Sequence, residues 1–384
     1  MKKKILFFSG SRAEYYIQSP ILKNFYSSKK FKTYLMIGGS HTSKVFGKTV
    51  NLIKKDNLKI DYKIDLNITS NKKKGLANYI LNFQNKITSV LLNLNPDYIF
   101  LTSDRFETLS VAIIAHILKV PIVHLEGGDV TEGGTLDDNS RHAITKLSSL
   151  HLVTNLDSEK RLIKLGEEKK RILNVGFPPL SSIKKNSLYN KEEIEKILKF
   201  NFNSELSILT YHPVPSENNL QNEIFSTIKN LSNKGHKFII TYPNFDPGYE
   251  KIIKQIGKLK NKKNIFVIKN LGQKLYFSIL NFIGNNSGVC IGNSSSGIKE
   301  TMFFNCKVIN LGIRQKSRYK SSNVYSCNLE EKKIFNLFNK IISKKITYSK
   351  QKNPYYSPNK IKKVDIKIHK KLATLHSQIK KITY

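Results

Sequence analysis

The sequence lacks any apolar run approaching the roughly 18 residues that a membrane span requires. Arginine is scarce: seven residues, at positions 12, 105, 141, 161, 171, 314 and 318, among 65 Lys and Arg together. Cysteine is scarcer still, and Cys290, Cys306 and Cys327 stand in no metal-ligand or redox spacing. An odd, sparse set excludes a disulfide framework and suits a reducing compartment, with inert buried thiols as the plain reading. No GxGxxG follows a strand-like run, so a dinucleotide fingerprint is missing as well.

The shortage of arginine bears on the charge. A formal net charge of +37 would ordinarily point to nucleic acid or an anionic membrane. Here the excess is nearly all lysine, scattered along a chain also heavy in Asn and Ile, whose codons share lysine's A and T content. Skewed base composition explains it, and no nucleic-acid module is visible. The expected partners therefore include neither nucleic acid nor membrane. Met1-Lys2-Lys3-Lys4 followed by Ile5-Leu6-Phe7-Phe8 has the outline of a signal peptide. The apolar stretch stops, however, at Ser9-Gly10-Ser11-Arg12-Ala13-Glu14 with no cleavage-like pattern. It reads as a buried first strand, and the cytoplasm is the expected location.

Lysine has a gap of its own. Between Ile87 and Thr145 only Lys119 occurs, while Asp97, Asp104, Glu107, Glu126, Asp129, Glu132, Asp137 and Asp138 all fall there. Burial explains missing lysines but not added carboxylates. Arginines 12, 105, 141, 314 and 318 also stand at loop or motif positions, where a planar bidentate fork has a use that lysine cannot match.

What is present is a chain of 384 residues, 39% hydrophobic, long enough for two domains. Strand-like and helix-like runs alternate, the pattern of parallel α/β architecture. The first half predicts strands over 4–9, 33–37, 98–102, 122–125, 150–154 and 172–175, with helices such as 77–94 and 108–118 between them. A break at Gly176-Phe177-Pro178-Pro179 leads into a lysine-rich connector. The second half predicts strands over 206–211, 238–242, 265–268, 289–291 and 308–311. We expect a Rossmann-like domain over 1–178, a linker over 179–200, a second over 201–358 and a basic helical tail over 359–384. Two such sheets facing a cleft place ligands outside the carboxyl ends of their strands.

Those ends carry the polar motifs. Ser9-Gly10-Ser11-Arg12 makes an anion site at a helix start. Asp104, in Thr102-Ser103-Asp104-Arg105-Phe106-Glu107, reads equally as a helix N-cap and as a catalytic acid. The segment from His124 through Glu126-Gly127-Gly128-Asp129 to Asp137-Asp138-Asn139-Ser140-Arg141-His142 is a flexible acidic loop opening a helix that Asp137 or Asp138 can cap. Its spacing matches neither an EF-hand nor a zinc site; His116, His124 and His151 read as structural. Tyr211-His212-Pro213-Val214 puts an imidazole at a strand end. Gly292-Asn293-Ser294-Ser295-Ser296-Gly297 opens a helix running through Glu300, suited to a diphosphate with Glu300 toward ribose hydroxyls.

Taken in order, GSRAE, SDRFET, HLEGGDVTEGGTLDDNSRHAITKLS, YHPV, YPNFDPG, LGQKLY, IGNSSSGIKE and INLGIRQKSR resemble the UDP-N-acetylglucosamine 2-epimerase family, in particular its hydrolysing branch. The resemblance covers most of the chain. It implies a glycosyltransferase-B type fold, a UDP-sugar as ligand, no cofactor or metal, and a homodimer. Carried over by position, Arg12, Ser294, Ser295, Glu300 and Arg314 match residues that hold UDP, with Ser296 and Arg141 beside them. Arg105, His212 and Asn244 match others of the same pocket, and Asp104, Glu126 and Asp137 match the carboxylates of the chemistry. Asp129 stands where the family has Glu, and Thr301-Met302 replace Ala-Pro. In this family UDP is eliminated to give a 2-acetamidoglucal, and the hydrolysing branch adds water. Carboxylates would move the protons, and His212 would contact the diphosphate or donate to the leaving oxygen. A non-hydrolysing epimerase and a glycosyltransferase of the same fold are the alternatives. The sugar is UDP-N-acetylglucosamine or a 4-acetamido-6-deoxy relative on the way to a sialic-acid-like nonulosonate.

Overall fold

A computed structural model describes residues 1–42, 50–66, 73–132, 135–214, 217, 220–243, 248–349, 352–375, 380, 381 and 383. The chain divides into two compact units. The first comprises 1–129, 136–182 and 355–384; the second comprises 130–135 and 183–354.

Among the described residues the first unit holds a seven-stranded parallel sheet, in the order β3-β2-β1-β4-β5-β6-β7. Its strands are β1 (Lys3–Ser9), β2 (Phe31–Ile37), β3 (Tyr62–Lys63), β4 (Tyr98–Thr102), β5 (Ile122–Leu125), β6 (Leu150–Val153) and β7 (Ile172–Asn174). Its helices are α1 (Arg12–Tyr26), α2 (Val50–Lys55), α3 (Lys73–Leu94), α4 (Phe106–Ile117), α5 (Thr135–Leu147), α6 (Leu156–Lys164) and α7 (Pro178–Ser181). Both faces of the central strands are covered, which is why they read as unbroken apolar runs. Alternate residues divide between the faces. Ile5, Phe7 and Phe100 pack with Ile21, Leu22 and Phe25 of α1. Leu6, Phe8, Ile99 and Leu101 pack with Phe83 and Ile87 of α3 and Val111 of α4.

The second unit repeats the scheme with six parallel strands in the order β10-β9-β8-β11-β12-β13. These are β8 (Ser207–Thr210), β9 (Phe238–Thr241), β10 (Ile265–Ile268), β11 (Cys290–Gly292), β12 (Val308–Leu311) and β13 (Val324–Cys327). The helices are α8 (Lys191–Leu198), α9 (Gln221–Asn233), α10 (Tyr249–Leu259), α11 (Gln273–Asn285), α12 (Ser296–Lys299) and α13 (Glu331–Ile342). Leu209, Ile240, Ile291 and Ile309 form one core with Ile228 of α9, Ile252 of α10 and Phe338 of α13. The stretch expected as a linker is largely structured. Asn190 and Glu193 form a reciprocal capping box at the start of α8, and Ile194 and Leu198 are buried.

Two further helices, α14 (Pro358–Ile361) and α15 (Val364–Leu375), return to the first unit. Val364, Ile368, Leu372 and Leu375 join the core of α1 and β1, so the basic tail buries an apolar face. Among the described residues, no helix is long and apolar enough to cross a membrane.

Candidate active site

In each sheet two adjacent strands lead the chain off in opposite directions: β1 and β4 in the first unit, β8 and β11 in the second. The carboxyl ends of such pairs are where open α/β sheets receive ligands. Four of the polar motifs lie there, at Ser9–Glu14, Ser103–Glu107, His212 and Asn293–Ser296; the acidic segment follows the neighbouring β5 and Arg314 follows β12.

In the first unit Ser11 caps α1, accepting from the Glu14 N–H at 3.3 Å. Arg12, the first residue of α1, is half-buried and makes no ion pair among the described residues. Burial pulls its guanidinium below its ordinary value. Glu14 is buried, accepting from the Gly10 N–H and the Thr108 hydroxyl, each at 2.6 Å. Desolvation pushes its carboxyl up to about 7 despite those bonds. Ser9 Oγ contacts Nε2 of buried His41 at 2.9 Å, and burial draws that imidazole down to about 4.

The loop after β4 corrects one sequence expectation. Asp104 is no N-cap: α4 starts at Phe106 and its cap position is Arg105, which makes no side-chain capping bond. Arg105 instead pairs with buried Glu107 at 3.1 Å. Asp104 forms an ion pair with Arg141 of α5, whose guanidinium is buried. The same fork pairs with Asp138 and donates to the Asp129 carbonyl at 2.8 Å. One arginine thus fixes groups from three stretches of the acidic segment, a task its planar geometry suits. Asp137 and Asp138 lie in the first turn of α5, which begins at Thr135.

Glu126 follows β5 at φ +72° and Ser103 follows β4 at φ +65°, both in the left-handed region. Holding two such backbones is costly, and it turns Ser103 Oγ onto Glu126 Oε2 at 2.8 Å. Behind them His124 Nε2 donates to the Ser103 carbonyl at 2.8 Å, and Thr145 Oγ1 faces Nδ1 at 3.4 Å. Burial pulls His124 down to about 3, so it stays neutral. His142 is also lowered, first by burial and then by Arg141 and Arg161.

In the second unit the centre is Asn293, which sequence reasoning passed over in favour of the serines after it. Its side chain accepts from the His212 N–H at 2.7 Å and donates to the His212 carbonyl at 2.8 Å, tying β11 to β8. Its own carbonyl accepts from Arg314 at 3.2 Å and Gln315 at 2.9 Å. Arg318 supports Gln315 at 2.7 Å and reaches Thr131 at 3.1 Å. Gly292 has φ +135°, and a Cβ there would lie 1.9 Å from the Thr210 carbonyl. Only glycine fits. Ser294 Oγ accepts from the Ser296 N–H at 3.4 Å, Ser295 is the cap position of α12, and the Ser296 hydroxyl bonds to that of Tyr276. The helix expected to run through Glu300 stops at Lys299 and tightens into a 3-10 turn over Thr301–Phe304. Thr301 Oγ1 takes the Gly297 carbonyl at 2.7 Å, competing with the regular ladder. Glu300 is buried there and, after burial itself, helps raise the Cys290 thiol to about 12. Glu217, unforeseen, accepts from the Ile313 N–H at 3.0 Å and holds the loop carrying Arg314. Asn244 lies outside the described residues. Among the described residues no group of three or more His, Cys, Asp or Glu could hold a metal ion.

The UDP-N-acetylglucosamine 2-epimerase family matches residues 23–368. The chain is 34% identical over 347 residues to the GDP/UDP-N,N'-diacetylbacillosamine 2-epimerase (hydrolyzing) of Campylobacter jejuni, covering 89% of this chain and 88% of that protein. It is 32% identical over 351 residues to the UDP-N,N'-diacetylbacillosamine 2-epimerase (hydrolyzing) of Legionella pneumophila, covering 91% and 92%. Polysialic acid biosynthesis protein P7 of Escherichia coli is 30% identical over 370 residues, covering 93% of this chain and 91% of that protein. Among solved structures, the UDP-GlcNAc 2-epimerase from Neisseria meningitidis bound to UDP-GlcNAc aligns with a TM-score of 0.78 at 18% identity, over 96% of this chain and all of that one. The fold is thus of the glycosyltransferase-B-like type found in such epimerases.

Proposed function

This chain belongs to the UDP-N-acetylglucosamine 2-epimerase family, and from that membership we propose that it is a hydrolysing 2-epimerase. It converts a UDP-2-acetamido sugar to UDP and the free manno-configured sugar. The relatives named above support a 2,4-diacetamido-6-deoxy substrate, UDP-N,N'-diacetylbacillosamine, over UDP-N-acetylglucosamine. The product would feed a sialic-acid-like sugar, in line with the polysialic acid relative.

The observation that carries the chemistry is the carboxylate cluster of the first unit: Glu126 held by Ser103, and Asp104 fixed by Arg141. Elimination takes the proton from C2 onto a carboxylate while the anomeric C–O bond breaks and its electron pair leaves with the diphosphate. Water then adds across the new C1–C2 double bond, hydroxyl to C1 and a proton to C2 on the opposite face. Asp104 and Glu126 serve as the proton-transfer pair, with Asp137 assisting at C2 or the water. Arg12, Arg314, His212 and the Ser294–Ser296 turn answer the charge that grows on the departing diphosphate. Glu300 takes the ribose, and Arg105, Arg141 and Asn244 complete the set. We assign the enzyme to the cytoplasm and, by the family resemblance, to a homodimer.

Purified protein is incubated in D2O with each of the two UDP-sugars, with EDTA present, and followed by proton NMR. Free UDP with a manno-configured sugar deuterated at C2, formed faster from the diacetamido substrate, is the expected result. An interconverting UDP-sugar pool would instead make it non-hydrolysing, and inertness toward both would sink the proposal.

A further inference from the structure

The C-terminal segment beyond α15 carries a residue that reaches the back of the candidate carboxylate site. Lys380 Nζ donates to three carbonyls at the end of α5: Thr145 at 3.0 Å, Lys146 at 2.9 Å and Ser148 at 3.0 Å. A cation on the last carbonyls of a helix satisfies acceptors the helix cannot and meets the negative end of its dipole. The same ammonium pairs with Glu167 at 2.8 Å. Glu167 has no side-chain exposure, and it also pairs with Lys146 at 3.0 Å and contacts His151 Nε2 at 2.8 Å. Thr383 N–H bonds to the Gly166 carbonyl at 3.0 Å nearby. These contacts tie Lys380 to one end of α5, with Thr383 bonded close by.

Two routes lead from that anchor to the carboxylates. The first is α5 itself, a helix of 13 residues whose middle carries Arg141, the partner of Asp104, one turn before Thr145. The second is Thr145: Lys380 holds its carbonyl while its hydroxyl faces His124. His124 bonds Ser103, and Ser103 bonds Glu126. Both routes are short chains of buried contacts within the first unit.

We propose that Lys380 is a positioning residue for the reaction, fixing α5 and the Thr145–His124–Ser103 line so that Asp104 and Glu126 keep their places. The inference rests on the hydrolysing-epimerase reading for its kinetic test. Its structural test stands apart from that reading.

Lys380→Met and Lys380→Arg are compared with the wild-type full chain by UDP release. Misplacing reacting groups by a fraction of an ångström lowers kcat, so Lys380→Met is expected to lose about tenfold in kcat with KM changed less than about threefold. Lys380→Arg, which keeps the charge and donors, is expected to recover most of that loss. Hydrogen exchange of α5 amides should quicken in Lys380→Met and return toward wild type in Lys380→Arg. A kcat within twofold of wild type for Lys380→Met, or a loss that Arg does not recover, overturns the proposal. If Lys380→Met does not fold, Thr145→Val decides: it keeps the carbonyl and removes the hydroxyl toward His124. About fivefold lower kcat at unchanged KM supports the line of contacts, and wild-type turnover overturns it. If the wild type itself releases no UDP, the proposed function fails, and unchanged α5 exchange in Lys380→Met would then refute the positioning role separately.

Discussion

The loops after β4 and β5 in the first unit are held by charge and strain, whereas those after β8 and β11 in the second are held by hydrogen bonds around one amide. Asp104, Asp138 and the Asp129 carbonyl converge on the Arg141 guanidinium. Asn293, by contrast, ties His212, Arg314 and Gln315 together through its amide and carbonyl, with Glu217 bracing the Arg314 loop. The difference accords with the roles proposed for each. Proton transfer needs carboxylates held in place, and the Arg141 ion pair at Asp104 and the left-handed backbones at Ser103 and Glu126 hold these two. Binding a diphosphate needs donors and a cation, which the second unit supplies in the proposed function. The proposed function puts the proton-transfer carboxylates in the first unit and most of the UDP-binding residues in the second, and that division is the pattern to break.

The largest expected effect is at Glu126. Glu126→Gln keeps the shape and the bond from Ser103 but cannot accept a proton, and kcat should fall about 10²–10⁴-fold. Its affinity for UDP, measured by calorimetry, should stay within about threefold of wild type. An equal loss of UDP affinity would erase the division of labour. A smaller effect with the opposite signature is expected at Arg314. Hydrogen bonds to a charged partner are worth about 1.5–3 kcal/mol, so Arg314→Met should weaken UDP binding by about 10–100-fold. Turnover at saturating substrate should change far less. Unaltered UDP affinity would remove Arg314 from the binding group.

How much of this was legible in the sequence differs between the two sites. The long buried strands stood out because both faces of each sheet are covered; β3 and β13 did not. Tyr62–Lys63 is too short to show a period, and Val324–Cys327 lies at a sheet edge and is only partly buried. Of the first site, the acids and Arg141 were visible as exceptions to a lysine-rich background. Their pairing was not, since Asp104 as a helix cap and as Arg141's partner look alike in one dimension. The left-handed conformations of Ser103 and Glu126 fall on residue types that give no sign of them. In the second site Ser294–Ser296 drew attention as a phosphate-type turn, while Asn293 and Gln315 look ordinary and matter only through what three-dimensional neighbours they join. Thr301 in place of a family alanine is visible in the sequence, but its hydroxyl's bond to the Gly297 carbonyl is visible only in the structure.

The smallest expected effect concerns Glu14, which sets the first unit's charged style apart from the second's. Its carboxyl is raised from an ordinary 4.5 to about 7, chiefly by burial. Between those values the folded protein keeps the proton and the unfolded chain loses it, so this group makes stability fall as pH rises from about 4.5 to 7, and adds nothing further above. A shift of that size caps the effect at about 3 kcal/mol, and local relaxation should bring it to about 1–2 kcal/mol. His41, drawn down to about 4, and His124, to about 3, act in the opposite sense over an overlapping range, because each must charge on unfolding below its ordinary 6.5. The wild-type curve alone therefore cannot isolate Glu14. The difference between wild type and Glu14→Gln can, since Gln is uncharged at every pH and keeps an oxygen to accept from the Gly10 N–H and an amide NH2 to donate to the Thr108 hydroxyl oxygen. Urea unfolding at pH 5 and pH 8 should show wild type losing more stability than Glu14→Gln on going to the higher pH. Identical losses would mean that Glu14 is ionised in the folded protein across that range, and that the first unit tolerates one more buried carboxylate than its hydrogen bonds indicate.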